Sequence, residues 1–515
     1  MTHTIRNPRV LVVTPEITYL PKDMGNMVNH LVAKAGGLAD VSAALISALF
    51  DQGADVHVAI PDYRALFNAR LEPALGRQLR MIQNKMPNER IHLAEDRAFF
   101  YIHTVYSDYG VDNLKIALAF QREVINNIIP RVRPDLIHCN DWMTGLIPAA
   151  ARQAGIPCLF TIHNIHTVKT LLGYIEDRGI DAAYFWQHLY YEQMAPEYED
   201  ARDTNPVDLL VSGVFAAHFV NTVSPTFLQE IVHGRHAFVA PHLRQELANK
   251  TRAGCAVGIL NAPDPSYRPE TDTALRPNYS AADHAAGKRA NKAYLQSLLS
   301  LKADPEAPIF FWPSRLDRIQ KGCPLLADIL YQVVSRYWEH DLQVVFVANG
   351  DFKKHFHEIV ALHGLESRVS VCGFDEELSR VAFAAADFIL MPSLFEPCGL
   401  PQMIGPLYGA LPVVHDTGGL HDTVTHLDTA AGEGNGFVFK IYDSAGLSWA
   451  IDQAMAFFTL PAEVRQSQVQ RIMEDAARDF TYAVCARNYI QLYEKMLQRP
   501  LITPNPPLPD MRPVA

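Results

Sequence analysis

Short apolar runs recur along this chain, each closed by a polar or glycine-bearing turn. Val10–Thr14 (VLVVT) is the first, and its continuous β-branched character predicts a strand of the buried, parallel kind. A helical period follows in VSAALISALFDQG, which stops at Gly53, and Ala54–Ile60 (ADVHVAI) returns to strand alternation. This is a strand–loop–helix–strand unit, a type that binds ligands beyond the carboxyl ends of its strands. Asp135–Asp141 (DLIHCND), Cys158–Ile162 (CLFTI) and the HFVNTV segment at 218–223 add three strands. An alanine-rich helix follows Leu146, and Ser224-Pro225 opens another.

The pattern pauses at Gly258–Asp264 (GILNAPD) and the PSYRPETD that follows, a proline-rich polar stretch suited to a hinge between domains. It then resumes with helices predicted over Ala285–Leu299 and Pro324–Tyr337. Strands are predicted over Ile309–Trp312, Gln343–Ala348, Arg368–Cys372, Asp387–Met391 and Ala410–Val414. Pro401–Leu407 enters a helix, another pattern starts at Leu420, and Phe480–Leu497 has helical periodicity. Arg499–Ala515 is proline-rich and predicted to be disordered.

The candidate chemistry sits where strands end. Lys34-Ala35-Gly36-Gly37-Leu38-Ala39-Asp40 leads into the first helix; Glu396-Pro397-Cys398-Gly399-Leu400 and Thr417-Gly418-Gly419 follow two later strands. Glycine turns at helix starts offer backbone N–H groups to an anion. With the Glu396 carboxylate among them, they favour a phosphate-bearing donor beside an electron-rich side chain. Arg315 and Lys321 are placed on a pyrophosphate, arginine as a bidentate fork and lysine as a movable point charge. Asp141 and His163 end successive strands and face one rim. Each feature has a plainer reading: many helices start with Gly-Gly, and a lone histidine after a strand is more often structural. HFHE, with His355, His357 and Glu358, is not a zinc motif but a solvated helix start.

Together these motifs resemble the bacterial glycogen synthase and plant starch synthase family. EPCGL, the YG-x-LPVV strand and TGGL make the longest match; KAGGL resembles KxGGL, TIHN the family's HN histidine, NTVSPT its TVSPTYA, and SRLDRIQKG its SRL-x-x-QKG. The likeness runs from Val10 to Leu497. It implies an α/β protein of GT-B fold, two Rossmann-like doubly wound domains facing each other across a cleft. The implied layout is an acceptor-side domain over 1–260, a nucleotide-sugar domain over 261–479, a helix at 480–498 returning to the first domain, and a tail at 499–515. The implied activity is transfer of glucose from ADP-glucose to an α-1,4-glucan with retention of configuration. By the same resemblance Glu396, His163, Lys34, Arg315 and Lys321 are catalytic. Gly36, Gly37, Asp40, Asp141, Asn261, Cys398, Gly399, Leu400, Thr417, Gly418 and Gly419 contact donor or substrate. No metal and no cofactor are implied.

Three departures stand out. Ile17–Ala33 is longer than the family's link to its lysine; it either overhangs the cleft and alters acceptor access or is a neutral surface excursion. Ile165–Met194 lacks the family's glycine turn and is rich in aromatic rings, which either grip a glucan or pack a helical subdomain. SRLDRIQKG carries one residue more than the family between arginine and lysine, with Arg318 in the insert. These features keep two rivals open: a relative using UDP-glucose or another acceptor such as a sugar phosphate, and a glucan-binding relative with a decayed site.

Composition narrows the field further. With 515 residues the chain suits two or three domains, and a net charge of −11 argues against nucleic acid or an anionic membrane as partner. Seven scattered cysteines without a CxxC pair fit reduced thiols, and Val10–Val13 is too short for a signal peptide or membrane span. A cytoplasmic protein is expected. Nothing in the sequence sets its oligomeric state.

Overall fold

The computed structural model describes residues 6–25, 28–67, 90–106 and 110–503. The chain forms two compact units, one of Met1–Asn221, His236–Val257 and Cys485–Ala515, the other of Thr222–Arg235 and Gly258–Val484.

The sheet of the first unit has strands of seven residues or fewer, in chain order: β1 (Arg9–Val13), β2 (Asp55–Pro61), β3 (Ile91–Ala94), β4 (Leu136–Asn140) and β5 (Cys158–Ile162). After a separate hairpin of β6 (Lys169–Thr170) and β7 (Val207–Asp208) come β8 (Phe219–Thr222) and β9 (Ala256–Gly258). The spatial order is β3-β2-β1-β4-β5-β8-β9, with the pairs from β3 to β5 parallel. Every residue of β4 and β5 is buried, which is why both read as unbroken apolar runs.

The last helix, Tyr482–Leu497, joins this unit from Cys485 onward. His138 Nδ1 of β4 and the Tyr493 hydroxyl share a hydrogen bond of 2.8 Å, and Asn221 Nδ2 donates to the Tyr489 hydroxyl at 2.9 Å. Polar atoms that would otherwise be buried without partners thus meet each other.

The long Ile17–Ala33 segment closes on itself. Ile17 N donates to Ala33 O and Ala33 N to Ile17 O, at 2.9 and 2.7 Å, while Leu20, Met24, Val28 and Leu31 are buried. It is a compact loop with its own apolar filling. Residues 26 and 27 within it lie outside the described residues, as do 504–515 of the proline-rich tail. In Ile165–Met194 the Trp186 ring packs edge-on against Tyr191 and also against Tyr198 beyond it, so these rings fill a small subdomain, while Tyr184 is left 61% exposed.

In the second unit β10 (Ile309–Trp312), β11 (Gln343–Val347), β12 (Val369–Cys372), β13 (Phe388–Met391), β14 (Leu411–His415) and β15 (Phe437–Phe439) form a parallel sheet ordered β12-β11-β10-β13-β14-β15. Phe310 and Trp312 enter one core and Ile309 and Phe311 another, because alternate side chains leave opposite faces of the sheet. A strand buried on both faces must be apolar at every position, as IFFW is. In each sheet the order reverses at one place, between β1 and β4 and between β10 and β13. Loops diverge there, and an open α/β sheet has its crevice there.

Candidate active site

In the second unit the reversal point holds three motifs far apart in sequence. Glu396, 5% exposed, lies in the loop after β13, and Lys321 Nζ stands 2.6 Å from its Oε2. Ser393 Oγ donates to the same oxygen at 3.0 Å, and Gly419 N donates to the Glu396 backbone oxygen at 2.9 Å. The SRLDRIQKG loop accommodates its extra residue locally. Asp317 Oδ1 accepts from the amides of Ile319 and Gln320 at 2.9 and 2.6 Å, folding a tight turn that leaves Arg318 and Ile319 exposed. Gly322 then passes so close to the strand end, at a φ of +73°, that a Cβ would lie 1.9 Å from Pro392 O. The lengthened loop therefore still delivers Lys321 to Glu396. Arg315 is exposed, and no hydrogen bond from its guanidinium to another described side chain is formed.

The glycine pair after β14 is dictated by the same approach. A Cβ on Gly418 would meet Glu396 O at 2.0 Å, and one on Gly419 would meet Cys398 O at 1.9 Å. Gly399 takes a φ of +72°, while Gln402 Nε2 donates to Cys398 O and Gly399 O at 2.9 and 3.1 Å, fixing the EPCGL turn. Asn261 donates its backbone N–H to the Cys398 sulfur, and burial pushes that thiol up to about 12. The Asn261 Oδ1 is buried without a partner. Leu400 begins the turn into the Pro401–Leu407 helix.

The first unit gathers a second cluster at its own reversal point. Lys34 Nζ pairs with Asp40 Oδ2 at 2.9 Å. Asp141, buried and held at a φ of +57°, accepts from the His163 amide at 2.7 Å and from Asn164 Nδ2 at 3.1 Å. Burial raises its pKa to about 7, opposed by the backbone donors and reinforced by the charge of Glu16. His163 Nε2 meets Asn140 Oδ1 at 2.9 Å, and Asn140 Nδ2 donates to Val13 O at 3.1 Å. With the amide so oriented, Nε2 carries the ring proton and Nδ1 presents a lone pair. Burial holds the ring neutral, its pKa lowered to about 3.

Sequence reasoning missed the carboxylates that organise these turns. Glu16, 2% exposed, takes the amides of Ala35 and Gly36 at 2.8 and 2.9 Å on one oxygen and the Tyr106 hydroxyl at 2.6 Å on the other. Glu230, on the Pro225–Val232 helix, takes Gly418 N and Thr417 Oγ1 at 3.1 Å each. The expectation that these glycine turns offer open amides to a ligand is therefore corrected for Gly36, Gly418 and Gly419, whose N–H groups are engaged within the chain. The available signal was slight: a glutamate on the otherwise apolar buried face of a helix whose other buried residues are Phe227, Leu228 and Ile231. Among the described residues, no three His, Cys, Asp or Glu side chains converge to hold a metal, and no helix is long and apolar enough to cross a membrane.

Two parallel α/β sheets, each with its chemistry at the reversal point, define a glycosyltransferase of GT-B fold. The Arabidopsis thaliana starch synthase IV catalytic domain bound to ADP and acarbose superposes with a TM-score of 0.75 at 24% identity, over 96% of this chain and 100% of that one. The starch synthase catalytic domain family matches residues 9–244, and glycosyl transferases group 1 matches 307–456. The glycogen synthase of Syntrophotalea carbinolica is 33% identical across 90% of this chain and 96% of its own length. That of Moorella thermoacetica is 32% identical across 95% and 97%. The chain belongs to the glycogen synthase family.

Proposed function

We propose that this protein is a glycogen synthase that moves glucose from ADP-glucose to the non-reducing end of an α-1,4-glucan, retaining configuration. The observation that carries the reading is the Lys321–Glu396 pair, bonded through Gly419 to the Thr417 turn. It gathers three of the family's motifs within one unit.

Breaking the anomeric bond puts negative charge on the departing diphosphate and positive charge on the sugar. Lys321 and the exposed Arg315 supply cations for the diphosphate, and Glu396 supplies a carboxylate for the oxocarbenium-like sugar. Held at 2.6 Å, carboxylate and ammonium are already oriented, so little reorganisation is needed as charge develops. Cys398, Gly399, Leu400, Thr417, Gly418, Gly419 and Asn261 shape the donor pocket. The buried Asn261 Oδ1 is an acceptor waiting for a ligand hydroxyl. In the first unit, His163 accepts a sugar hydroxyl at Nδ1, while Lys34, Gly36, Gly37, Asp40 and Asp141 complete that contact surface. In retention the acceptor hydroxyl attacks from the leaving-group face and its proton passes to the departing phosphate.

The test is nucleoside diphosphate release from ADP-glucose and UDP-glucose in parallel, with and without glycogen, in EDTA. Glycogen-dependent release from ADP-glucose is expected. Release from UDP-glucose alone would overturn the donor assignment, and glucan binding without turnover of either donor would overturn the enzymatic one.

A further inference from the structure

The second unit has a cavity of about 460 Å³ at the opposite end of its sheet from Glu396, and of the family's motifs the YG-x-LPVV strand alone reaches it, through Gly409 and Leu411 at its start. Asp387 and Phe388 open β13 there, and Gly409 and Leu411 open β14; the far ends of the same strands carry the Glu396 and Thr417 loops. Four cationic side chains line the cavity against two carboxylates, in a chain whose net charge is −11.

Both carboxylates are committed. Asp387 Oδ2 takes Lys292 Nζ at 2.7 Å and the Ile309 amide at 2.9 Å, and Glu306 pairs with Arg289 at 2.9 Å. Neither of the two remaining cations forms an ion pair with a carboxylate among the described residues. Lys288, 7% exposed, spends its ammonium on the carbonyls of Ala384, Ala386 and Tyr408, at 3.1, 2.7 and 3.0 Å. Dipoles satisfy its hydrogen bonds, and burial lowers its pKa to about 7, with the charge of Asp387 partly offsetting the shift and that of Lys292 adding to it. Arg465 lies over the Phe458 ring, 4.8 Å from its centroid, with a buried Nε that meets no acceptor. A donor buried without an acceptor is a costly arrangement that a bound anion relieves. The His284–Leu299 and Ala462–Asp479 helices also begin at this cavity, neither with a side-chain cap.

The geometry points to a second ligand site here, for a phosphate monoester. A dianionic phosphate suits this excess of cationic side chains over carboxylates and favours the charged form of Lys288, and Arg465 and Arg289 offer it directed N–H groups. The cavity is too large for phosphate alone, and Phe388, Phe458 and Val469 give it apolar walls. Those walls suit the organic part of the ester, a sugar ring or a nucleoside.

Calorimetric titration of the full chain tests this with inorganic phosphate, glucose 6-phosphate and AMP, using glucose and adenosine as uncharged controls. At least one ester is expected to bind more tightly than inorganic phosphate, while glucose and adenosine do not bind. Which ester binds separates a sugar phosphate from a nucleotide. Arg465→Ala is expected to weaken that binding about tenfold or more. Arg289→Glu acts at a side chain 63% exposed, so it disturbs the fold least and decides the matter if Arg465→Ala fails to fold. Lys321→Ala, at the other end of the sheet, leaves the binding unchanged. Three results overturn the proposal: no ester binding at millimolar concentration, esters no tighter than inorganic phosphate, or binding lost in Lys321→Ala and kept in both arginine variants.

Discussion

Glu396 is the residue on which the proposed transfer chemistry turns, and its surroundings say which substitution tests it. Glu396→Ala would leave Lys321, whose side chain is only 12% exposed, facing an empty site. Glu396→Gln keeps the shape and the Ser393 contact while removing the charge. A fall in kcat of about 100-fold or more is expected, with the thermal midpoint little changed; undiminished turnover would end the assignment. Gly419→Ala asks a different question, because its Cβ would overlap Cys398 O. The Cys398 turn must then move, so activity is expected to fall together with a stability loss of about 1–3 kcal/mol, read by urea titration. Glu396, Lys321, Asp141 and His163 were all visible in the sequence, since each sits in a motif at a strand end. Glu16 and Glu230 were not. A single glutamate carries no spacing signature, and its type predicts exposure, whereas both are buried because they neutralise N–H groups that have no other acceptor.

At the scale of elements, two helices of the second unit cap each other. Glu230 of the Pro225–Val232 helix receives Gly418 N at the start of the Gly418–Thr423 helix. Asp422 of that second helix receives Thr226 N at 3.1 Å and Thr226 Oγ1 at 2.6 Å, and bonds Ser224 Oγ, at the start of the first. Each helix end offers unsatisfied amides, and each finds a carboxylate on the other. Glu230→Gln removes the charge that steadies the Thr417 turn. A raised KM for the sugar nucleotide is expected, with the KM for glycogen unchanged; if both stay at wild-type values, the turn does not depend on Glu230. Strands and helices were readable because their signals are local: IFFW for a two-faced strand, Ser224-Pro225 for a helix start that Ser224 does cap, accepting from Phe227 N at 2.9 Å. A cap supplied by another helix has no local signal. The same holds for the rings after Ile165, whose composition admits both sugar stacking and packing, with packing favoured for any single ring; Trp186 lies against Tyr191 and Tyr198.

Across the whole molecule the two sheets repeat one strand order around their reversal points, and the final helix returns to the first unit. Alternating strands and helices disclosed the α/β class and the family resemblance implied doubly wound domains, but strand order lies in long-range pairing and is visible only in the structure. One consequence of burial in the first unit is measurable. His92, His138 and His163 are each lowered to about 3 from 6.5, with burial the main cause. On unfolding they regain ordinary values, so between pH 6.5 and 3 the unfolded chain binds more protons and stability falls as pH falls. The slope is about 1.4 kcal/mol per pH unit for each histidine. Asp141, raised to about 7, has the opposite sign: its contribution grows as pH falls from 7 toward 3.8, and the three histidines outweigh it. Asp55 and Asp135, both lowered, lose stability only below 3.8. The urea midpoint should therefore drop steadily from pH 6.5 to 4.5. His138→Gln forfeits the bonds to Tyr493 and Thr161 at every pH, which lowers the whole curve, but it also removes one proton from the slope. A shallower line for the variant is the expected result, and parallel lines would show that His138 is not held neutral by its burial between β4 and the final helix.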